Sequence, residues 1–183
     1  MKLNLYQIDA FTDKVFGGNP ACVVPLNKWL EDEKLLNIAQ ENAVSETAFF
    51  VQNDNFFHLR WFTPDIEMDL CGHATLAAAY VIKKYLKFPE DVISFNTLSG
   101  KLNVHANHEN FTLDLPSRKP VISELPLIIK KSLSIQPQKI LKSRDYFLVY
   151  NNQKEIEEIQ IDRSIIDQIN LDPGGVIITA EGN

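Results

Sequence analysis

Two short strings in this sequence combine residue types that can move protons. The first is Ser45-Glu46, which lies between a helical stretch and a strongly apolar run, Ala48-Phe49-Phe50-Val51. A carboxylate at the mouth of such a run loses part of its hydration, and that raises its pKa toward the range useful to a general base. A surface glutamate at a strand entrance is the plainer reading, because perturbed carboxylates mark functional sites only in a fraction of cases. Ser45 can orient a ligand or cap a turn, and turn chemistry is its ordinary use. The second string is Cys71-Gly72-His73, directly before an apolar helical stretch. Gly72 lets backbone and ligand approach closely. The first turn of the helix offers unpaired N–H groups and a positive dipole end, which suit a carboxylate. His73 can donate a hydrogen bond or shuttle a proton, or it can be a locally satisfied cap. Cys71 is open to two readings, a thiolate favoured by the helix terminus or a small buried hydrophobe.

Other chemistries find less support. His105 and His108 fall on an expected hairpin and His58 lies elsewhere, with no HExxH string and no Cys/His set at ligand spacing. No metal is expected. Gly17-Gly18 lacks the Lys-Ser/Thr ending of a phosphate loop, there is no GxGxxG string, and no cofactor is expected. The aromatic run of Phe49, Phe50, Phe56, Phe57, Trp61 and Phe62 reads as core and hairpin pairs rather than a base-stacking platform. The net charge of -6 speaks against a nucleic-acid partner, which calls for a basic face. Cys22 and Cys71 are the two cysteines, too few for a disulfide scaffold. Asn4, Gln7 and Asp9 interrupt any apolar leader, and no run approaches a membrane span, so no membrane partner and a cytoplasmic location are expected.

The elements that must hold these strings follow from periodicity. Apolar–polar alternation predicts a strand over residues 3–11, then a turn at Gly17-Gly18-Asn19-Pro20 and a short strand over 21–25. Apolar residues at 35, 36, 39 and 43 predict a helix over 29–43. Residues 47–52 and 56–62 read as a hairpin turning at Asn53-Asp54-Asn55. Residues 74–86 are apolar nearly all round, the pattern of a buried helix, with Thr75 as the main polar interruption before Lys83 and Lys84. Strands follow over 92–96, 101–106 and 110–115, turning at Ser99-Gly100 and at residues 107–110. Strands on both sides of one buried helix suggest a sheet wrapped round it. Pro116, Pro120 and Pro126 punctuate a linker. Beyond it we expect a short helix over 126–134, strands over 139–142 and 145–151, a helix over 164–169 and a strand over 175–180. The order strand, helix, apolar strand repeats that of the first part, as an internal duplication would produce.

The string Asp9-Ala10-Phe11-Thr12, with Phe16-Gly17-Gly18-Asn19-Pro20-Ala21, Asn42, Ser45-Glu46-Thr47-Ala48-Phe49, Arg60-Trp61-Phe62-Thr63-Pro64, Glu67 and Leu70-Cys71-Gly72-His73-Ala74-Thr75, resembles the PhzF family of phenazine-biosynthesis isomerases and their relatives. Several motifs stand in the family's order, and Ser143-Arg144-Asp145-Tyr146 and residues 175–180 extend the likeness more loosely. The resemblance implies an α+β, diaminopimelate-epimerase-like fold, with two similar halves that each wrap a mostly antiparallel sheet round a central helix and an active site in the cleft between them. It implies that Glu46 moves a proton between two carbons, with Ser45, Gly72 and His73 lining the cleft. Related epimerases use a cysteine at the position of Cys71, whereas the PhzF type assigns the transfer to the glutamate. The family's second loop, an Asp-Pro-x-x-Gly-Ser-Ala-His-like string opening the second central helix, has no match here, so the second half is expected to be incomplete.

The expectation is therefore a first half over residues 1–116, a linker over 117–125 and a partial second half over 126–183. Its catalytic residues are Glu46 and His73, and its substrate-binding residues are Ser45, Gly72 and Cys71. The partner is a small carboxylic acid turned over by cofactor-independent proton transfer, and a homodimer is allowed for. The competing expectation is a truncated, inactive module that binds a small acid or assembles with a second chain.

Overall fold

The computed structural model describes residues 2–14, 16–108, 110–171 and 174–182. The chain divides into two units, Met1–Leu115 and Pro116–Asn183. In the first, β1 (Tyr6–Ala10) pairs antiparallel with β2 (Asn19–Leu26). Phe11, at φ 66°, turns the chain into the left-handed region and ends β1 earlier than alternation alone predicts. Gly18, at φ 71°, closes the connection, and a Cβ there would collide with the Ala10 carbonyl oxygen. Asn19 and Pro20, expected in the turn, already belong to β2, so the bend lies earlier in the chain.

Helix α1 (Asp32–Asn42) begins three residues later than its periodicity suggests. Asp32 and Glu33 occupy its first turn, where the dipole favours acidic groups. β3 (Glu46–Asn53) runs parallel to β2 and antiparallel to β4 (Phe56–Phe62). A two-residue strand, β5 (Glu67–Met68), pairs with the end of β4 and was not expected from sequence. Next come α2 (Gly72–Tyr80), β6 (Val92–Thr97), β7 (Gly100–Asn107) and β8 (Asn110–Asp114). The sheet order is β1-β2-β3-β4-β6-β7-β8, with β5 beside β4, and among the described residues of this sheet only the β2–β3 and β4–β6 pairs are parallel. Glu109, within the turn expected before β8, lies outside the described residues.

The two faces of β2, β3 and β4 feed two cores, as a period of two requires. Ala21, Val23, Ala48, Phe50, Phe57, Leu59 and Trp61 point to one side, where they meet Ala74, Ala77, Ala78 and Ala79 of α2. Val24, Leu26, Phe49 and Phe62 point to the other, where they meet Leu35 and Ala39 of α1. α2 packs on β1, β2, β3, β7 and β8, so the sheet curls round it. Small alanines let the helix lie close to the strands, and the aromatic rings fill what remains. Phe50 and Phe57 meet edge to face with centroids 5.5 Å apart. The helix does not stay α-helical over the whole expected span. Val81–Tyr85 forms a wider π turn in which the Leu86 N–H bonds the Val81 carbonyl at 3.0 Å.

The second unit has a four-stranded sheet, ordered β12-β11-β10-β9, from β9 (Val121–Ile122), β10 (Lys139–Lys142), β11 (Tyr146–Val149) and β12 (Val176–Thr179). β12 runs parallel to β11. Three short helices accompany it, α3 (Leu127–Ser132), α4 (Gln153–Glu158) and α5 (Arg163–Ile166). α4 was not expected, although its signal is present: the Asn152 side chain accepts from the Glu155 N–H at 3.0 Å, and Glu155 reaches back to the Asn151 N–H at 2.9 Å. α5 is shorter than expected because the chain beyond it tightens to three-residue bonds, Gln168 to Ile165 and Ile169 to Ile166. Ile129, Leu133, Tyr146, Leu148 and Tyr150 form the core of this unit. Among the described residues of this unit no helix is buried all round.

Ala78 is fully buried against the sheet. Ala78→Leu should lower stability by about 1–3 kcal/mol in urea unfolding, through overpacking. Unchanged stability would mean that α2 has a free face.

Candidate active site

Glu46 is the first residue of β3, and its position there decides where its side chain goes. It shares parity with Ala48 and Phe50, so it faces the side on which α2 lies. The turn before it is held at both ends. Ala43 ends α1 in the left-handed region at φ 53°, with its N–H on the Ala39 carbonyl at 3.2 Å. The Asn42 side chain then donates to Thr47 Oγ1 at 3.1 Å, tying the helix end to the strand start across Ser45-Glu46. Thr47 is fully buried, so this bond is sheltered from water.

The other string is delivered by the chain that returns from β4. Thr63 Oγ1 accepts from the Asp65 and Ile66 N–H groups, which closes the turn after β4. Arg60 on β4 then grips Glu67 on β5 with two bonds, Nε to Oε1 at 2.7 Å and Nη2 to Oε2 at 2.6 Å. Such a paired guanidinium–carboxylate contact fixes geometry as well as adding energy. From β5 the chain reaches Cys71, which caps α2 in an extended conformation. Thr75, fully buried in the helix, satisfies its hydroxyl by donating to the Cys71 carbonyl at 2.5 Å.

These constraints bring three of the five expected site residues together. Glu46 Oε2 lies 3.3 Å from His73 Nε2, and Cys71 Sγ lies 3.5 Å from His73 Nδ1. The Glu46 and His73 side chains are only 17% and 10% exposed. Glu46 Oε2 and His73 Nε2 are both buried, and neither has an aligned hydrogen-bond partner. Their proximity is therefore a contact without a well-formed bond, and buried polar atoms left in that state are uncommon. The imidazole stands between its neighbours, with one nitrogen turned to each. The donors of all three residues lie within 4.8 Å of one another. For them to share a metal ion, one of the two contacts of the ring would have to be given up.

Gly72 begins α2 and is half-buried. A Cβ there would meet only Leu113 Cδ2, at 3.9 Å, so packing within the fold does not require glycine. Ser45 is exposed, next to Glu46 but outside the three-residue cluster. Sequence reasoning gave no role to Asn42, Arg60 or Glu67 as positioning groups. The long-range pairs that reveal their roles are visible only once β4, β5 and α1 are placed.

The thiolate reading of Cys71 is corrected. Burial pushes its thiol up to about 12, and the negative charge of Glu46 pushes the same way. The N–H groups of Ala74 and His73 face the sulfur and pull in the opposite direction, but burial dominates. At neutral pH the group is a neutral S–H. The residues at 105 and 108, weighed as metal ligands, are exposed histidines on the β7–β8 hairpin. Among the described residues no helix is long and apolar enough to cross a membrane.

This curled sheet about a central helix is the diaminopimelate-epimerase-like fold. A hydroxyproline epimerase from Agrobacterium vitis shares it at 9% identity and a TM-score of 0.50, over 85% of this chain and 53% of that one. The chain belongs to the PhzF family, whose sequence pattern, described as phenazine biosynthesis-like protein, matches residues 8–169. An uncharacterized isomerase of Pseudomonas aeruginosa is 42% identical over 98% of this chain and 69% of its own length. The crystal structure of a PhzF-family protein from Enterococcus faecalis is 39% identical with a TM-score of 0.86, over all of this chain and 70% of that one.

A neutral, buried thiol is a poor nucleophile, because thiolate appears only as pH rises toward the raised pKa. Alkylation of Cys71 by iodoacetamide at pH 7–8 should be far slower in the folded chain than in urea. Rapid labelling of the folded chain would refute the protonated state.

Proposed function

We propose that this chain belongs to an isomerase that shifts a proton between two carbons of a small carboxylic acid, using no metal and no organic cofactor. The observation that carries this reading is the buried, unpartnered pair of Glu46 Oε2 and His73 Nε2 at the N-terminal end of α2. Such atoms cost free energy in the folded state and are retained where a ligand completes them. The names of the relatives, uncharacterized isomerases among them, support the same class.

In this reading Glu46 is the general acid/base. Its carboxylate removes a proton from a carbon beside an electron-withdrawing group, the double bond of the substrate shifts, and the carboxyl, after exchange with solvent, gives a proton back to a different carbon. Atoms and electrons balance within the substrate, so neither oxidant nor reductant is consumed. His73 Nε2 steadies the charge that develops on the substrate oxygen, or handles a second proton. The substrate carboxylate sits near Gly72, at the positive end of the helix. Ser45 orients the substrate from the edge, and Cys71 lines the site as a neutral group.

In deuterated buffer the enzyme should exchange the acidic C–H of its substrate, read by loss of the proton NMR signal across a panel of small carboxylic acids. Glu46→Gln should reduce that exchange by about 10²–10⁴-fold while leaving unfolding unchanged. Retained exchange would remove Glu46 from the chemistry. Dialysis against EDTA should leave the rate intact, and a loss restored by added metal would overturn the cofactor-free reading.

Gly72→Ala offers an independent check. An added methyl meets only ordinary contact, so stability should stay within about 0.5 kcal/mol, while substrate KM rises. Unaltered kinetics would detach Gly72 from the substrate.

A further inference from the structure

His73 has two ring nitrogens, and its chemistry depends on which carries the proton. We propose that Cys71 is a positioning residue: its thiol donates to His73 Nδ1 and so holds the neutral imidazole with its proton on Nε2, facing Glu46. The contact between Cys71 Sγ and His73 Nδ1, at 3.5 Å, is within range for a sulfur hydrogen bond, and both groups are buried. Such a contact runs in one of two directions. Either S–H donates to a bare Nδ1, or Nδ1–H donates to sulfur.

Two observations favour the first. Burial keeps the thiol protonated, so it has a hydrogen to give. On the far side of the ring a carboxylate oxygen of Glu46 lies 3.3 Å from Nε2, and a carboxylate beside that nitrogen favours a proton there. Both neighbours of the imidazole therefore select the same tautomer. Thr75 keeps Cys71 in place by bonding its carbonyl.

The consequence for catalysis rests on the proton-transfer reading: a ring fixed in this form is a hydrogen-bond donor to a substrate oxygen and leaves the base role to Glu46. The tautomer itself does not depend on that reading. Dependence of a ring nitrogen on its opposite partner is familiar from histidines oriented by groups behind them.

The test is two-bond proton–nitrogen correlation NMR on chain labelled with nitrogen-15 at its four histidines, with the His73 signals assigned by their loss in His73→Gln. At neutral pH the unmodified chain should show a protonated Nε2 and a bare Nδ1. Cys71→Ala should move the tautomer ratio about five-fold toward Nδ1–H, the weight of one neutral hydrogen bond. Cys71→Ser, which keeps a donor, should restore the original pattern. A proton on Nδ1 in the unmodified chain, alone or together with Nε2–H, overturns the proposal. So does a folded Cys71→Ala whose ratio is unchanged. If Cys71→Ala does not fold, the unmodified spectrum and Cys71→Ser decide the matter alone. A bare Nδ1 in a chain that shows no carbon–hydrogen exchange in any assay would strike the proposed reaction and leave the tautomer standing.

Discussion

A helix with no polar face has to be enclosed, and the enclosure of α2 sets the terms for everything around it. Its alanines are fully buried against strands on several sides. Burial of large rings such as Phe50, Phe57 and Trp61 in that contact contributes about 1.5–3 kcal/mol each. Because β3 alternates, the same register that sends Ala48 and Phe50 into the helix also sends Glu46 to that side. A one-residue slip in β3 would send Glu46, Ala48 and Phe50 together to the face on which α1 packs and bring Phe49 to the side of α2. The position of the reactive group is thus enforced by the hydrophobic effect acting on its strand neighbours.

Against that secure packing the molecule keeps a local deficit. Glu46 Oε2 and His73 Nε2 are withdrawn from water and left without aligned partners. Each such group costs on the order of 1–3 kcal/mol. The Arg60–Glu67 pair, the Asn42–Thr47 bond and the bond from Thr75 to the Cys71 carbonyl hold the backbone segments that carry the two groups. The site resembles many others in which polar groups are held ready in a dry setting rather than recruited at the moment of reaction.

Much of this was legible in the residues. The alternating runs predicted the strands that flank α2, and the nearly continuous apolar stretch predicted its burial. The encounter of Glu46 with His73 was within reach as well, since Glu46 has the parity of Ala48 and Phe50. What stayed hidden has physical reasons. β5 is two residues long and owes its existence to the Arg60 grip rather than to propensity. The shortening of β1 depends on a phenylalanine at positive φ, which no propensity favours. The state of the Cys71 thiol pits burial against a helix terminus, and only the degree of enclosure decides between them. α4 had a readable capping signal that periodicity, weak over six residues, did not reinforce.

The π turn at Val81–Tyr85 bears on how this fold tolerates change in length. One residue added to an α-helix rotates all that follows by about 100°, which would swing an apolar tail out of its socket. The wide turn lies at the end of the helix remote from Cys71, Gly72 and His73, and Val81 and Ile82, which open it, are fully enclosed. The turn that carries Gly72 and His73 is regular α-helix. A residue gained beyond Ile82 would leave that reactive end in register with the strands.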